Sequence, residues 1–253
     1  MSVMKTYPAQ SAAQEPGTGA APSRRYPWRF WSTLGWAVLA NAALVAVHYV
    51  LRYADSHVSL PFDRALLGNI TTILSMLAAT LVFVLAAHRR GPSARAYLAL
   101  VWPRWHHFLI ALGAVAALFV ARLGLEYIFP ADATLPERII LHRTLLDHPA
   151  QLVVYWLVAV VTAPIFEEIC RSFLLRGWSE SRIGFLAALL LSTLIFVPAY
   201  TTDVRDMAIV PVIGLALGLT RWWSGSTLLA ITMHAGWNFT YNFIALLMAL
   251  RNG

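Results

Sequence analysis

The sequence predicts an all-α protein, a polytopic membrane helix bundle with about seven transmembrane helices. Three observations predict it. Of the 253 residues, 59% are hydrophobic and 12% are charged, whereas a soluble domain is nearer half apolar and about a quarter charged. The mean hydropathy is +0.64. The apolar residues are gathered into runs of roughly 20, the length that crosses a bilayer core as a helix.

Residues 1–26, MSVMKTYPAQSAAQEPGTGAAPSRRY, are polar and rich in small residues and Pro. They read as a disordered cytoplasmic tail and not as a signal peptide, because they hold no apolar stretch. Residues 27–253 read as one membrane domain. Its spanning segments fall at about 29–51, 66–88, 107–129, 151–175, 183–200, 207–223 and 226–249. The 207–223 segment is short and rich in Gly and Pro, so a re-entrant path is its alternative. Between the third and fourth segments, PADATLPERIILHRTLLDHPAQ places Ile139, Ile140, Leu145 and Leu146 among Arg, His and Asp. That pattern predicts a short amphipathic helix at the membrane surface.

The net charge is +7, and Lys5 is the one Lys among 19 basic residues. A basic balance raises nucleic acid as a partner. Here the Arg residues lie in short connections between apolar runs, which is the pattern of topology control, so no nucleic-acid partner is expected. The N-terminal tail and the second, fourth and sixth connections carry 12 basic residues, and the other side carries 6. That bias puts the N-terminus in the cytoplasm. The preference for Arg over Lys and the many Ala residues suggest a GC-rich bacterial source, hence the cytoplasmic (inner) membrane. Cys170 is the single cysteine, so no intrachain disulfide can form. Trp28, Trp31, Trp102, Trp105, Trp178, Trp222 and Trp223 mark span ends as an aromatic belt. His48, His88, His106 and His107 read as interfacial anchors.

An ionisable residue at bilayer depth is expensive and therefore marks a candidate site. Three places qualify. In PIFEEICRSFLLRGW, Glu167 and Glu168 follow an uncharged run, and Arg171 lies four and three residues on, within helical reach of either acid. Adjacent carboxylates raise each other's proton affinity, so one can serve as a base for water while Arg171 holds its neighbour. The bland alternative is a solvated helix end. In STLLAITMHAGWNFTYNF, His234 and Asn238 share a helix face. They can bind a metal or an oxyanion, or serve as hydrogen-bonded glue between helices. In FVARLGLEYIF, Arg122 and Glu126 lie four apart, most simply an internal ion pair.

In this order the motifs resemble the CPBP family, the CAAX-protease and bacteriocin-processing (Abi) membrane proteins, also called type II CAAX prenyl endopeptidase-like. APIFEEICRSFLLRGW is similar to the family's Glu-Glu helix, and GLALGLTRWWSGSTLLAITMHAGWNF to the helices around its His-x-x-x-Asn motif. The resemblance covers about residues 150–245. It implies an intramembrane endopeptidase that cleaves a peptide or protein substrate at the membrane. Glu167 would activate the water, Glu168 and Arg171 would support it, and His234 and Asn238 would bind the oxyanion or a metal. Two chemistries exist for the family: a zinc enzyme, here with Glu167, His234 and Asn238 as ligands, or a metal-free glutamate peptidase.

Two departures stand out. The family spaces its motif EE-x-x-x-R, but Arg171 comes one residue early and Ser172 occupies the usual Arg position. One residue on a helix is a swing of about 100°. The middle motif, Phe-x-x-x-His, becomes Phe196-x-x-x-Tyr200. Tyr200 can donate to an oxyanion but is a poor zinc ligand, and Pro198 should kink the helix or end it early. The departures keep open a family member with impaired catalysis that acts in binding, immunity or assembly. A further alternative is a subunit of an ion- or proton-coupled transporter, with Glu167, Arg171 and His234 on the ion path.

Overall fold

The structure, a computed structural model, describes residues 30–57, 63–130, 137–200 and 204–251, the side chains of residues 199, 200 and 204 excepted. The predicted tail lies outside the described residues. Among those residues every regular element is helical: α1 (Phe30–His57), α2 (Arg64–Arg90), α3 (Ala94–Tyr97), α4 (Trp105–Ile128), α5 (Glu137–Leu146), α6 (Pro149–Trp156), α7 (Ala163–Ser179), α8 (Gly184–Leu194), α9 (Val204–Ser224) and α10 (Thr227–Arg251). The chain is an all-α polytopic membrane bundle, with seven apolar helical segments in the predicted order. Five are long and apolar enough to cross a membrane: α1, α2, α4, the rod Pro149–Ser179 and Arg205–Ser224 of α9.

One segment departs from the sequence expectation. The predicted 183–200 span is an α-helix only over Gly184–Leu194, followed by a 3-10 turn, Val197–Tyr200. Eleven residues rise about 16 Å, roughly half the hydrocarbon thickness. Pro198 supplies the reason: it lacks the N–H that a continuing α-helix would bond to the Leu194 carbonyl. The 207–223 segment forms as expected, within one continuous helix of 21 residues that carries Pro211 inside it. Neighbouring helices make such a Pro tolerable within a membrane bundle.

The rod Pro149–Ser179 changes pitch partway. Leu157–Thr162 is π-helical, with the Ala163 N–H bonded to the Val158 carbonyl. Pro164 cannot donate, and its ring crowds the carbonyl four residues back, so the widening falls just before it. Beyond it, α7 is the central helix, with 13 of its 17 residues buried. Its Phe173, Leu174 and Trp178 pack with Ala37 and Ala40 of α1, Phe83 and Ala86 of α2 and Leu189 of α8. Small residues allow this approach, as is usual between membrane helices.

A second cluster joins α4, α9 and α10 through Leu118, Ile213, Leu217, Leu229, Met233 and Trp237. The predicted short helix forms as α5. Ile139 and Leu145 are buried, Ile140 is half exposed, and Ile139 packs with Ala245 and Ala249 of α10. The loop after α3 is pinned by its carbonyls. Arg176 donates to Ala96 and Tyr97, Ser172 to Leu98, and Ser226 to Val101.

Candidate functional site

The acids of α7 divide the work that the sequence left undivided. Successive residues on a helix point about 100° apart. Glu167 therefore lines a cavity of about 70 Å³, while Glu168 turns into the protein. Glu168 is 1% exposed and has two cationic or polar partners. Arg171 Nε lies 3.2 Å from both carboxylate oxygens, and His234 Nδ1 lies 3.1 Å from Oε1. A buried carboxylate is tolerable only when compensated in this way.

Arg171 also ties three helices together. Its Nη1 donates to the carbonyls of Ser192 on α8 and Gly214 on α9, at 3.3 and 3.5 Å. Its guanidinium lies 4.9 Å from the Phe196 ring centre. Gly214 makes the approach possible, since a Cβ there would fall 2.7 Å from Thr193 Cγ2. The early position of Arg171 thus gives it Glu168 as its salt-bridge partner, three residues away. Ser172, at the usual Arg position, instead accepts from Arg221 Nε of α9 at 2.9 Å.

On α10, Glu168 anchors the Nδ1 face of the His234 ring, and the ring lines the same cavity as Glu167. Beside a carboxylate, Nδ1 carries the hydrogen, which leaves Nε2 for chemistry. Asn238 also lines the cavity, and its Nδ2 donates to the Ala159 carbonyl at 2.8 Å. Ala159 belongs to the π-helical stretch, and such stretches recur at functional sites. A chain of bonds continues behind it, Asn242 Nδ2 to the Asn238 carbonyl and Tyr155 hydroxyl to Asn242 Oδ1.

The structure therefore brings Glu167, Arg171, His234 and Asn238 to one cavity, with Glu168 behind them. Tyr200 ends the 3-10 turn, and its side chain lies outside the described ones.

Three lining residues, Arg138, Asp206 and Tyr241, escaped the sequence reading, and Arg122 was read there only as an internal ion pair. Arg122 forms the expected ion pair with Glu126 at 3.0 Å, but it also donates to Asp206 at 2.6 Å and to the Tyr241 hydroxyl at 3.0 Å. Arg122, Asp206 and Tyr241 all line the cavity, as does Arg138 of α5. The signal for Arg122 was its depth in an apolar run. Nothing local marks Asp206 as its partner 84 residues away.

Whether these side chains fit a zinc ion is a question of donors. Zinc in a catalytic site takes three protein ligands, drawn from His, Cys and carboxylates. The cavity offers the Glu167 carboxylate, one imidazole and an amide, and the described residues hold no group of three or more His, Cys, Asp or Glu able to take a metal. The set does not fit.

Residues 149–240 match the family model described as type II CAAX prenyl endopeptidase Rce1-like. This stretch of the chain is similar to that family. The matched region holds Glu167, Glu168, Arg171, His234 and Asn238. Neither the curated proteins nor the solved structures contain a match to the chain.

Proposed function

We propose that the protein is an intramembrane endopeptidase that uses Glu167 to activate water against a peptide carbonyl, without a metal. The convergence of Glu167, Arg171, His234 and Asn238 on one cavity carries this reading. Glu167 takes a proton from water as the hydroxyl attacks the carbonyl carbon, and returns it to the leaving amine. Glu168 holds His234 at Nδ1 and so fixes its ring against the cavity, and the second N–H of Asn238 donates to the developing oxyanion. Glu168 and Arg171 act as positioning residues. A cavity walled by Phe196, Ile213, Leu217 and Trp237 limits the water that competes for these groups. The substrate is a membrane peptide or protein. The Arg distribution supports a cytoplasmic N-terminus, and the Arg-over-Lys, Ala-rich composition supports a bacterial inner membrane.

The test is cleavage of a membrane-peptide library by detergent-purified protein. Wild type should cut, and Glu167→Gln should not. A second reading, a family member that binds peptides without cutting them, is favoured by Tyr200 at the usual His position. It predicts that wild type and Glu167→Gln retain the same peptides and cleave none.

A further inference from the structure

The end of the bundle where α1 starts and α2 stops carries a charge and a notch that the candidate site does not use. The two helices pack side by side through Ala37 and Ala40 of α1 and Phe83 and Ala86 of α2. One turn beyond, Arg89 in the last turn of α2 meets Trp36 of α1. Its guanidinium lies 5.9 Å from the centre of the Trp36 ring, within reach of a cation–π contact. Stacking of this kind sets the guanidinium plane and leaves its N–H edge for a ligand.

No acid of the protein answers that charge. Arg89 is exposed, and among the described residues no carboxylate pairs with it. The sequence has no Asp or Glu between Phe30 and Ala54, and none between Arg64 and Leu125. His88 and Arg90 stand in the same last turn, so the surroundings are basic.

Beside the guanidinium, α1 presents a notch to the lipid. Ser32, Gly35, Trp36 and Leu39 line it, and this spacing places them on one helix face. Gly35 makes the notch: it is exposed, and a Cβ there would meet nothing within 4 Å. Ser32 lies nearest the start of the helix, and Leu39 lies about 10 Å further along it by the helical rise. Along this face the chemistry therefore runs from a cation and a hydroxyl to an apolar floor.

We infer that Arg89 and this notch seat one anionic phospholipid, its phosphate on the guanidinium edge and the start of an acyl chain along Gly35 to Leu39. A guanidinium fork with no facing acid matches a phosphate through parallel N–H bonds. The basic turn around it disfavours a headgroup that brings its own cation, as phosphatidylcholine does. The apolar floor favours a lipid over a soluble anion, which would leave Gly35 and Leu39 uncovered. Both helices lie outside the matched residues 149–240, so the site belongs to the chain's own first two helices and not to the candidate hydrolytic region.

The full chain in a neutral detergent is titrated with dioleoyl phosphatidylglycerol and, separately, with dioleoyl phosphatidylcholine. Native mass spectrometry counts the bound lipids and the copies of the chain. The expected result is a roughly tenfold tighter first Kd for phosphatidylglycerol, falling to a ratio near one in Arg89→Gln. Arg95→Gln, which removes another exposed cation close to the end of α2, should keep the preference. Gly35→Leu fills the notch and should weaken both lipids by a similar factor. If Arg89→Gln fails to fold, Trp36→Leu decides, because it removes the stacking surface: a lower ratio supports the site, and an unchanged ratio overturns it. Equal affinities for the two lipids in wild type overturn it. So does a loss of preference in Arg95→Gln as large as in Arg89→Gln, which would assign the effect to diffuse charge. Gly35→Leu binding both lipids as tightly as wild type overturns it as well, and if that variant also turns a dimer into a monomer, the notch is a contact with a second copy of the chain. None of these readouts depends on cleavage, so they hold whichever way the endopeptidase reading is decided.

Discussion

The Glu168 carboxylate meets the His234 imidazole at 3.1 Å across 66 residues of chain, and the same carboxylate lies 3.2 Å from Arg171 Nε. One buried acid thus fixes a cation on its own helix and an imidazole on another. Its neighbour Glu167 faces the cavity. The two acids should therefore fail differently. Glu168→Ala strands the Arg171 charge in the interior and should cost about 3–5 kcal/mol of stability. Glu167→Gln should leave the thermal unfolding midpoint near that of wild type and remove cleavage. Unfolding in detergent, measured beside peptide cleavage, checks both. Equal stability losses for the two would sink the division of roles.

Two glycines separate packing from function. A Cβ at Gly177 would fall 2.4 Å from Thr33 Oγ1 and 2.8 Å from its Cγ2, and Thr33 is fully buried. Gly177→Ala should cost about 1–3 kcal/mol through this overpacking and leave the cleavage rate of the folded fraction intact. At Gly214 a Cβ would fall 2.7 Å from Thr193 Cγ2 and 3.2 Å from Arg171 Nη1. Gly214→Ala should lower the cleavage rate as well as stability, because the displaced groups line the cavity. Rates normalised to folded protein distinguish the two outcomes.

The Arg122 network makes a third prediction, about charge. Arg122 is buried, with Asp206 at 2.6 Å and the more exposed Glu126 at 3.0 Å. Arg122→Met alone leaves Asp206 uncompensated and should cost about 3–5 kcal/mol. Adding Asp206→Leu should recover most of that loss, since an apolar pair of similar volume replaces an ion pair at little cost. A double-mutant cycle on unfolding free energies measures the coupling. Additive losses would show that the pair contributes nothing as a pair.

Helices were legible in this sequence because a bilayer forces every backbone group to be satisfied within its own segment. Long apolar runs therefore had one solution. The positions of Glu167, Arg171 and His234 were legible because charged and polar groups at that depth are costly. Partnerships across the chain were not legible. Neither the Glu168–His234 contact nor the Arg221–Ser172 bond leaves a local trace, and both depend on how α9 and α10 pack on α7. The shortness of α8 was half legible, since Pro198 announced a stop without saying that the helix ends at Leu194. Pro211 gave the opposite signal and was overridden by a continuous α9.

Metal removal provides the remaining prediction. A resemblance to a family with both zinc and metal-free accounts leaves the donor set to decide. His234 has one ring nitrogen committed to Glu168, and Asn238 has its amide nitrogen on the Ala159 carbonyl. That leaves Glu167, one imidazole nitrogen and an amide oxygen, weaker than the three His or carboxylate ligands that hold catalytic zinc. Cleavage should accordingly survive dialysis against 1,10-phenanthroline, and purified protein should carry zinc well below one equivalent per chain. Added zinc should inhibit rather than activate, by competing for Glu167 and His234. Loss of cleavage on chelation, with recovery on adding zinc, would overturn the metal-free assignment. It would also require a further ligand from outside the described residues, since those residues hold no third His, Cys, Asp or Glu in place beside these two.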